Sequence, residues 1–278
     1  MTKPFAMKTS FAKRATLALA GLLVSVSAFA AGDTPVEHSG VDLDDRASLQ
    51  RGAQLYMNYC VGCHSLKYMR YSRIAEDLDL TEEQVMNNLN FTGAKFGEQV
   101  VSAMPIQTTT PATGGEKWFG KAPPDLSVIS RVRGSDWIYT YLKSFYLDES
   151  RPLGWNNKVF PNASMPNPLW ELQGSQRPVF VKKIETGKDD EGKPLMGCAH
   201  GLVETDDACL KSLVVAAPGS QKAEEFDQTA RDIAAFLEYV GEPAVLKRQK
   251  LGVWVILFLS LFAFFAWLLK REYWRDVH

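Results

Sequence analysis

Apolar residues recur at helical spacing along much of this chain. Leu49, Ala53, Tyr56 and Met57 share one face of a helix predicted over residues 44–59. Gly52 costs that helix some propensity and would let another helix approach closely. A short helical run is expected around Ser65 to Ala75, and Thr81-Glu82-Glu83-Gln84 reads as a capping box opening a helix through Leu89. Residues 135–147 place Ile138, Tyr141, Leu142 and Phe145 at i, i+3, i+4 and i+7. A last soluble helix, Ala223 to Val240, aligns Ala230, Ile233, Ala234 and Leu237 and stops at Gly241-Glu242-Pro243. Between these elements the pattern breaks. Nine glycines and prolines punctuate Phe91 to Ser127, and Arg151 to Trp170 is interrupted in the same way. Loops of that length usually wrap a site. Val179 to Glu185 and the segment after Lys193 suggest a hairpin around Thr186 to Gly192.

Two apolar runs are of a different kind. Lys3, Lys8, Lys13 and Arg14 precede an apolar stretch from Ala15 to Ala30 that ends in Ala28-Phe29-Ala30, the layout of a secretory leader cut near Ala30. Leu251 to Leu269 is nineteen residues without a charge, and at ~1.5 Å per residue it matches the ~30 Å of bilayer hydrocarbon. Three basic residues flank each end, so their count does not orient the helix. The leader does: it exports the bulk of the chain and leaves the tail in the cytoplasm. The expected organisation is a leader over 1–30, an exported domain over 31–246, an anchor in the lipid over 247–270 and a cytoplasmic tail over 271–278. The domain would then stand on the periplasmic side of a bacterial inner membrane.

The formal charge of −1 hides an asymmetry. Setting aside four basic leader residues, and an anchor region with six basic and two acidic ones, leaves about −9 on residues 31–246. Such a domain is no candidate for nucleic acid and would steer a basic protein partner toward itself. In an oxidising compartment Cys198 and Cys209 are expected to pair. Closing their loop would contribute about 3 kcal/mol in the chain-entropy model.

The candidate chemistry sits directly after the first helix. Cys60-Val61-Gly62-Cys63-His64 is a C-x-x-C-H run, which in an exported protein reads as covalent haem c attachment. Two thiols at that spacing can add to the two vinyl groups of one porphyrin edge, and His64 follows as an axial ligand. Gly62 keeps the loop slim beside the ring. A zinc site would need further ligands, and Cys198 and Cys209 are distant; a thioredoxin-like pair would follow a strand rather than a helix. Of the eight methionines, Met1 and Met7 belong to the leader, and Met57, Met69 and Met86 fit core faces. Met104, Met165 and Met196 lie in irregular segments as candidates for the second axial position. Met104 and Met165 both precede proline, and the residues alone do not separate them. His38, His200 and His278 make a bis-histidine site a weaker choice.

The run C-V-G-C-H-S-L-K-Y, then Ala122-Pro123-Pro124-Asp125-Leu126-Ser127 followed by Arg131 and Arg133, then Ser164-Met165-Pro166 and one C-terminal anchor, resembles the cytochrome c1 family over nearly all of the mature chain. That resemblance implies a mainly α, cytochrome c-like haem domain with long irregular insertions and one C-terminal transmembrane helix. It assigns the distal ligand to Met165, beyond the P-P-D-L-S segment, and places that segment, with Pro124, on the His64 side of the haem. It assigns Arg133 to a haem propionate, with Arg131 as the nearby rival. It implies a redox relay within an oxidoreductase complex, with one covalent haem c per chain, cytochrome b and a Rieske iron-sulfur protein beside it in a dimeric membrane complex, and a c-type cytochrome as acceptor. Such a relay needs no general acid, base or nucleophile. The alternatives are a free-standing anchored cytochrome, and a haem enzyme or sensor with an open iron site.

Overall fold

The computed structural model describes residues 36–104, 106–107, 113–188, 191–205 and 207–275. The leader predicted over 1–30 lies outside the described residues, as do Pro105 and His278.

Two helices form the frame. Helix α1 (Arg46–Tyr59) packs along α8 (Ala223–Gly241). Leu49, Ala53, Tyr56 and Met57 of the first meet Ala230, Ile233, Ala234 and Leu237 of the second in one buried core, the faces that the spacing predicts. Gly52 makes the close approach possible, since a Cβ there would lie 2.0 Å from the carbonyl oxygen of Asp232. Asp232 also supplies a polar clamp between the pair. Its buried carboxylate accepts from Ser48 Oγ at 2.6 Å, and from Arg51 Nε at 2.7 Å and Nη2 at 3.0 Å. A carboxylate so placed is tolerated because each oxygen is hydrogen-bonded.

The remaining helices sit around this frame. Helix α2 (Tyr71–Leu78) is followed by α3 (Glu82–Asn88), where Thr81 and Gln84 form the expected capping box. Short helices α4 (Gly115–Phe119) and α5 (Ile129–Arg133) lead to α6 (Ser135–Lys143), and α7 (Trp170–Gln173) follows later. Both α5 and α6 pack on α8.

Local pattern and structure part company where tertiary hydrogen bonds intervene. The run after Ser65 begins as a strand, β1 (Leu66–Arg70), paired with β2 (Gln99–Val100), before α2 starts. Its amides are taken from outside: Lys67 N donates to Asp125 Oδ2 at 2.9 Å and Tyr68 N to Ser127 Oγ at 3.1 Å. Likewise α6 ends at Lys143, and Phe145 enters β5 (Phe145–Leu147) against β6 (Trp155–Asn157). Gln176 holds that exit, donating to the carbonyls of Lys143 and Phe145.

A further pair, β3 (Ile106–Gln107) and β4 (Thr113–Gly114), is antiparallel. The longest ladder joins β7 (Gly174–Val181) to β11 (Cys209–Pro218), with β10 (Val203–Glu204) on the far side of β11. The expected hairpin is present as β8 (Ile184–Lys188) with β9 (Pro194–Gly197). Its first arm starts later than the sequence suggests, because Val179 to Val181 pair with β11 instead. Cys198 and Cys209 form a disulfide between the end of this hairpin and β11.

Helix α9 (Val245–Tyr273) runs for 29 residues; Val245 is buried and Leu246 packs against the core, and from Leu251 to Tyr273 its side chains are exposed on every face. Among the described residues it is the one helix long and apolar enough to cross a membrane.

Gly52→Ala should destabilise the domain by at least about 2 kcal/mol, because its methyl meets backbone that cannot yield. Denaturant unfolding of the haem-loaded protein checks this, and a change below about 0.5 kcal/mol would contradict the helix contact.

Candidate haem site

The C-terminal end of α1 becomes the attachment loop without a break in hydrogen bonding. Cys60 N and Val61 N both donate to the carbonyl of Tyr56, at 2.9 and 3.0 Å. Cys63 N and His64 N then donate to the carbonyl of Cys60, at 3.0 and 2.8 Å. The Tyr56 hydroxyl closes the far end, donating to His64 O at 2.8 Å. One residue of α1 thus holds both ends of the loop. A Cβ at Gly62 would meet no protein atom within 4 Å, so nothing within the chain demands glycine there.

The two thiols are unpaired with each other. Burial, together with the neighbouring Cys63, pushes the Cys60 thiol up to about 12, and burial also raises Cys63. Burial thus shifts both thiols away from the lowered pKa of a thioredoxin-like pair. Among the described residues no group of three or more His, Cys, Asp or Glu is placed to hold a metal ion. The neutral thiol pair beside a buried histidine is a donor set that fits covalent haem.

His64 is oriented by its other ring nitrogen. Nδ1 lies 2.7 Å from the carbonyl oxygen of Pro124. A carbonyl only accepts, so Nδ1 carries the proton and Nε2 keeps a lone pair for iron. Burial lowers the His64 pKa, against the opposing pull of the Pro124 hydrogen bond and of Asp125. Burial thus favours the neutral ring, the form that can bind a metal.

The P-P-D-L-S segment reaches His64 because it is fastened along the chain that follows the histidine. Leu126 N donates to Ser65 O at 3.0 Å, and Asp125 and Ser127 take the amides of Lys67 and Tyr68. Ser102 adds a second fastening, its hydroxyl donating to Gly62 O at 2.8 Å and its amide to Ser65 Oγ at 2.9 Å. Met104 N in turn donates to Ser102 Oγ at 3.1 Å. A Cβ at Gly115 would fall 2.9 Å from Met104 Sδ and 2.5 Å from Pro123 Cδ. Met104 therefore packs with the proline segment that supports His64.

Met165 belongs to another group of side chains. Tyr141 Oη donates to Met165 Sδ at 3.5 Å. Tyr141 stacks on Trp137 with ring centroids 4.8 Å apart and meets Phe145 edge-on at 5.0 Å. Phe160 meets the edge of Trp137, and the Arg133 guanidinium lies 4.9 Å from the Trp137 ring and 5.6 Å from the Phe160 ring. Arg133 makes no ion pair among the described residues, whereas Arg131 is paired with Glu242 at 2.7 Å. Met57 and Met69 are buried in the core, and Met86 packs against it. Met196 is 55 % exposed on β9, and His38 and His200 are exposed.

A family model described as the cytochrome C1 family matches residues 38–177 and 214–277. The chain is 44% identical over 247 residues to cytochrome c1 of Allochromatium vinosum, covering 89% of this chain and 91% of that one. The chain belongs to the cytochrome c1 family. It is 38% identical over 263 residues to a Nitrosomonas europaea protein named ammonia monooxygenase gamma subunit, covering 94% of this chain and 97% of that one. A solved structure named hyperthermophilic respiratory Complex III aligns over 98% of each chain at 19% identity, with a TM-score of 0.43.

As a cytochrome c1 family member the chain is an electron-transfer subunit of a membrane bc1 complex and carries covalently bound haem c. Residues 178–213 fall between the two matched blocks. They hold the β8–β9 hairpin and both disulfide cysteines, which is why the family resemblance does not fix that pair.

Tyr56, Ser102, Trp137, Tyr141 and Phe160 were not legible as site residues. A signal existed for two of them. Tyr56 and Tyr141 bring a hydroxyl onto an otherwise apolar helical face, and a buried hydroxyl needs a partner.

Tyr56→Phe leaves the buried carbonyl of His64 without its donor and should cost about 1–3 kcal/mol of stability. Guanidinium unfolding followed at the haem absorbance measures it, and an unchanged midpoint would contradict the loop-closing role.

Proposed function

We propose that this chain relays electrons from a Rieske iron-sulfur protein to a c-type cytochrome, standing beside cytochrome b in a dimeric complex. In this reading residues 1–30 are removed on export, residues 31–246 form the periplasmic haem domain, residues 247–270 anchor it in the inner membrane, and 271–278 remain in the cytoplasm. The domain is cytochrome c-like and mainly α, with long irregular insertions. Bound haem c supplies a one-electron iron couple.

Within the chain, Cys60 and Cys63 would provide the two thioether sulfurs and His64 Nε2 one iron ligand, with Pro124 fixing the ring. Met165 would provide the other iron ligand and Arg133 would pair with a propionate. The observation that carries this assignment is the division of the two methionines. Met104 packs with Pro123 and is hydrogen-bonded through Ser102 to the attachment loop, on the same side as the support of His64. A ligand opposite His64 must come from elsewhere, and Met165 stands beside the aromatic group that holds Arg133. Arg131 already neutralises Glu242, which favours Arg133 as the free guanidinium. With histidine and methionine on the two axial positions the site is closed to small ligands, as an outer relay requires. The acidity of residues 31–246 would speed docking of a basic acceptor at low salt.

Met165→Leu should lower the midpoint potential by a sizeable part of the roughly 0.8 V range that axial ligands command, and should admit carbon monoxide to the reduced protein. Met104→Leu should do neither; the opposite result would move the ligand to Met104. Rapid stoichiometric carbon monoxide binding by the native protein would point to an open-site haem enzyme or sensor. Recovery from mild detergent without cytochrome b and a Rieske protein would favour a free-standing cytochrome.

A further inference from the structure

The Met165 side chain has a partner that the ligand assignment does not use. Tyr141 Oη lies 3.5 Å from Met165 Sδ, and among the described residues that sulfur is the only hydrogen-bond partner of the hydroxyl. The ring is held on several sides: Trp137 stacks on it nearly parallel, at an interplanar angle of 10°, and Phe145 meets it edge-on. The Tyr141 backbone is also fixed, its carbonyl accepting from Asn157 Nδ2 at 2.8 Å. The phenol is therefore a rigid donor rather than a swinging one.

A thioether sulfur has two lone pairs. If one goes to iron, the other remains free to accept a hydrogen bond. A donor on that second pair draws density from the sulfur and makes it a poorer donor to iron. The oxidised iron, which depends more on ligand donation, loses more stabilisation than the reduced iron.

We propose that Tyr141 is a positioning and tuning residue for the distal ligand: its hydroxyl orients the Met165 sulfur and raises the midpoint potential of the haem. This rests on Met165 being that ligand. It adds a residue from α6, 24 positions away in sequence, to the control of the couple.

Tyr141→Phe removes one oxygen and keeps the ring and its stacking. In the intact complex two quantities are read: the midpoint potential by redox titration, and the weak red methionine-to-iron charge-transfer band of the oxidised form. The expected result is a retained band with the potential shifted lower, equivalent to a loss of about two- to tenfold in the equilibrium constant for reduction, tenfold being ~59 mV for one electron. A purely packing role for Tyr141 would leave the potential where it was. An unmoved potential with the band intact in Tyr141→Phe, together with loss of the band in Met165→Leu, would overturn the hydrogen-bond role while leaving Met165 as ligand. Absence of the band from the native protein would remove Met165 itself, and this inference with it.

Discussion

A carbonyl oxygen can only accept, so the 2.7 Å contact between Pro124 O and His64 Nδ1 decides where the imidazole proton sits. That decision reaches well beyond the ring. For Pro124 to present its carbonyl there, the P-P-D-L-S segment must run beside residues 64–68, and the amides of Lys67 and Tyr68 are given to Asp125 and Ser127 to keep it there. Those two amides are then unavailable to a helix. The strand that follows the histidine is thus a consequence of how the imidazole is held.

The loop would drift without a stiff base. Helix α1 provides it because Gly52 lets α8 come close enough for the buried Asp232 carboxylate to reach Ser48 and Arg51. Tyr56, one turn further along α1, is fully buried against Phe236 of α8 and closes the loop through His64 O. The same α8 continues toward the anchor. At the junction, Glu242 takes Arg131 on one oxygen and Arg248 of α9 on the other. Each pair is exposed and individually weak, yet together they connect α5, which leads out of the proline segment, to the first turn of the membrane helix.

Elements stabilised by their own periodicity were legible in the sequence. Helices α1, α3 and α8 fall where the apolar spacing and the capping box put them, and the anchor appears as an uncharged run. Elements decided by distant partners were not. The residues from Leu66 to Arg70 carry a helical pattern, but Val100, Asp125 and Ser127 claim their backbone. Phe145 continues the stripe of α6, yet pairs with Asn157 as strand. For the site, C-x-x-C-H is contiguous and could be read directly. The contact between His64 and Pro124 spans 60 residues, and it came into view only through resemblance to a family. No local signal marks Ser102 as the link between the attachment loop and Met104.

The groups of side chains around His64 and Met165 differ in physical character. Around His64 the contacts are short, directional and made largely by backbone, which fixes a tautomer and an orientation. Around Met165 they are aromatic faces, a guanidinium over two rings and one long hydrogen bond to sulfur. A thioether is a soft, weakly polar group that needs shape and polarizable neighbours more than a dense hydrogen-bond network. Arg133 brings a positive charge to this group, held in place by ring faces rather than cancelled by a carboxylate. Arg131, two residues earlier, is neutralised by Glu242, so among the described residues this segment carries one paired and one unpaired cation. The helix that places Tyr141 against the Met165 sulfur places Trp137 against that guanidinium, so one turn of α6 addresses both the thioether and the charge.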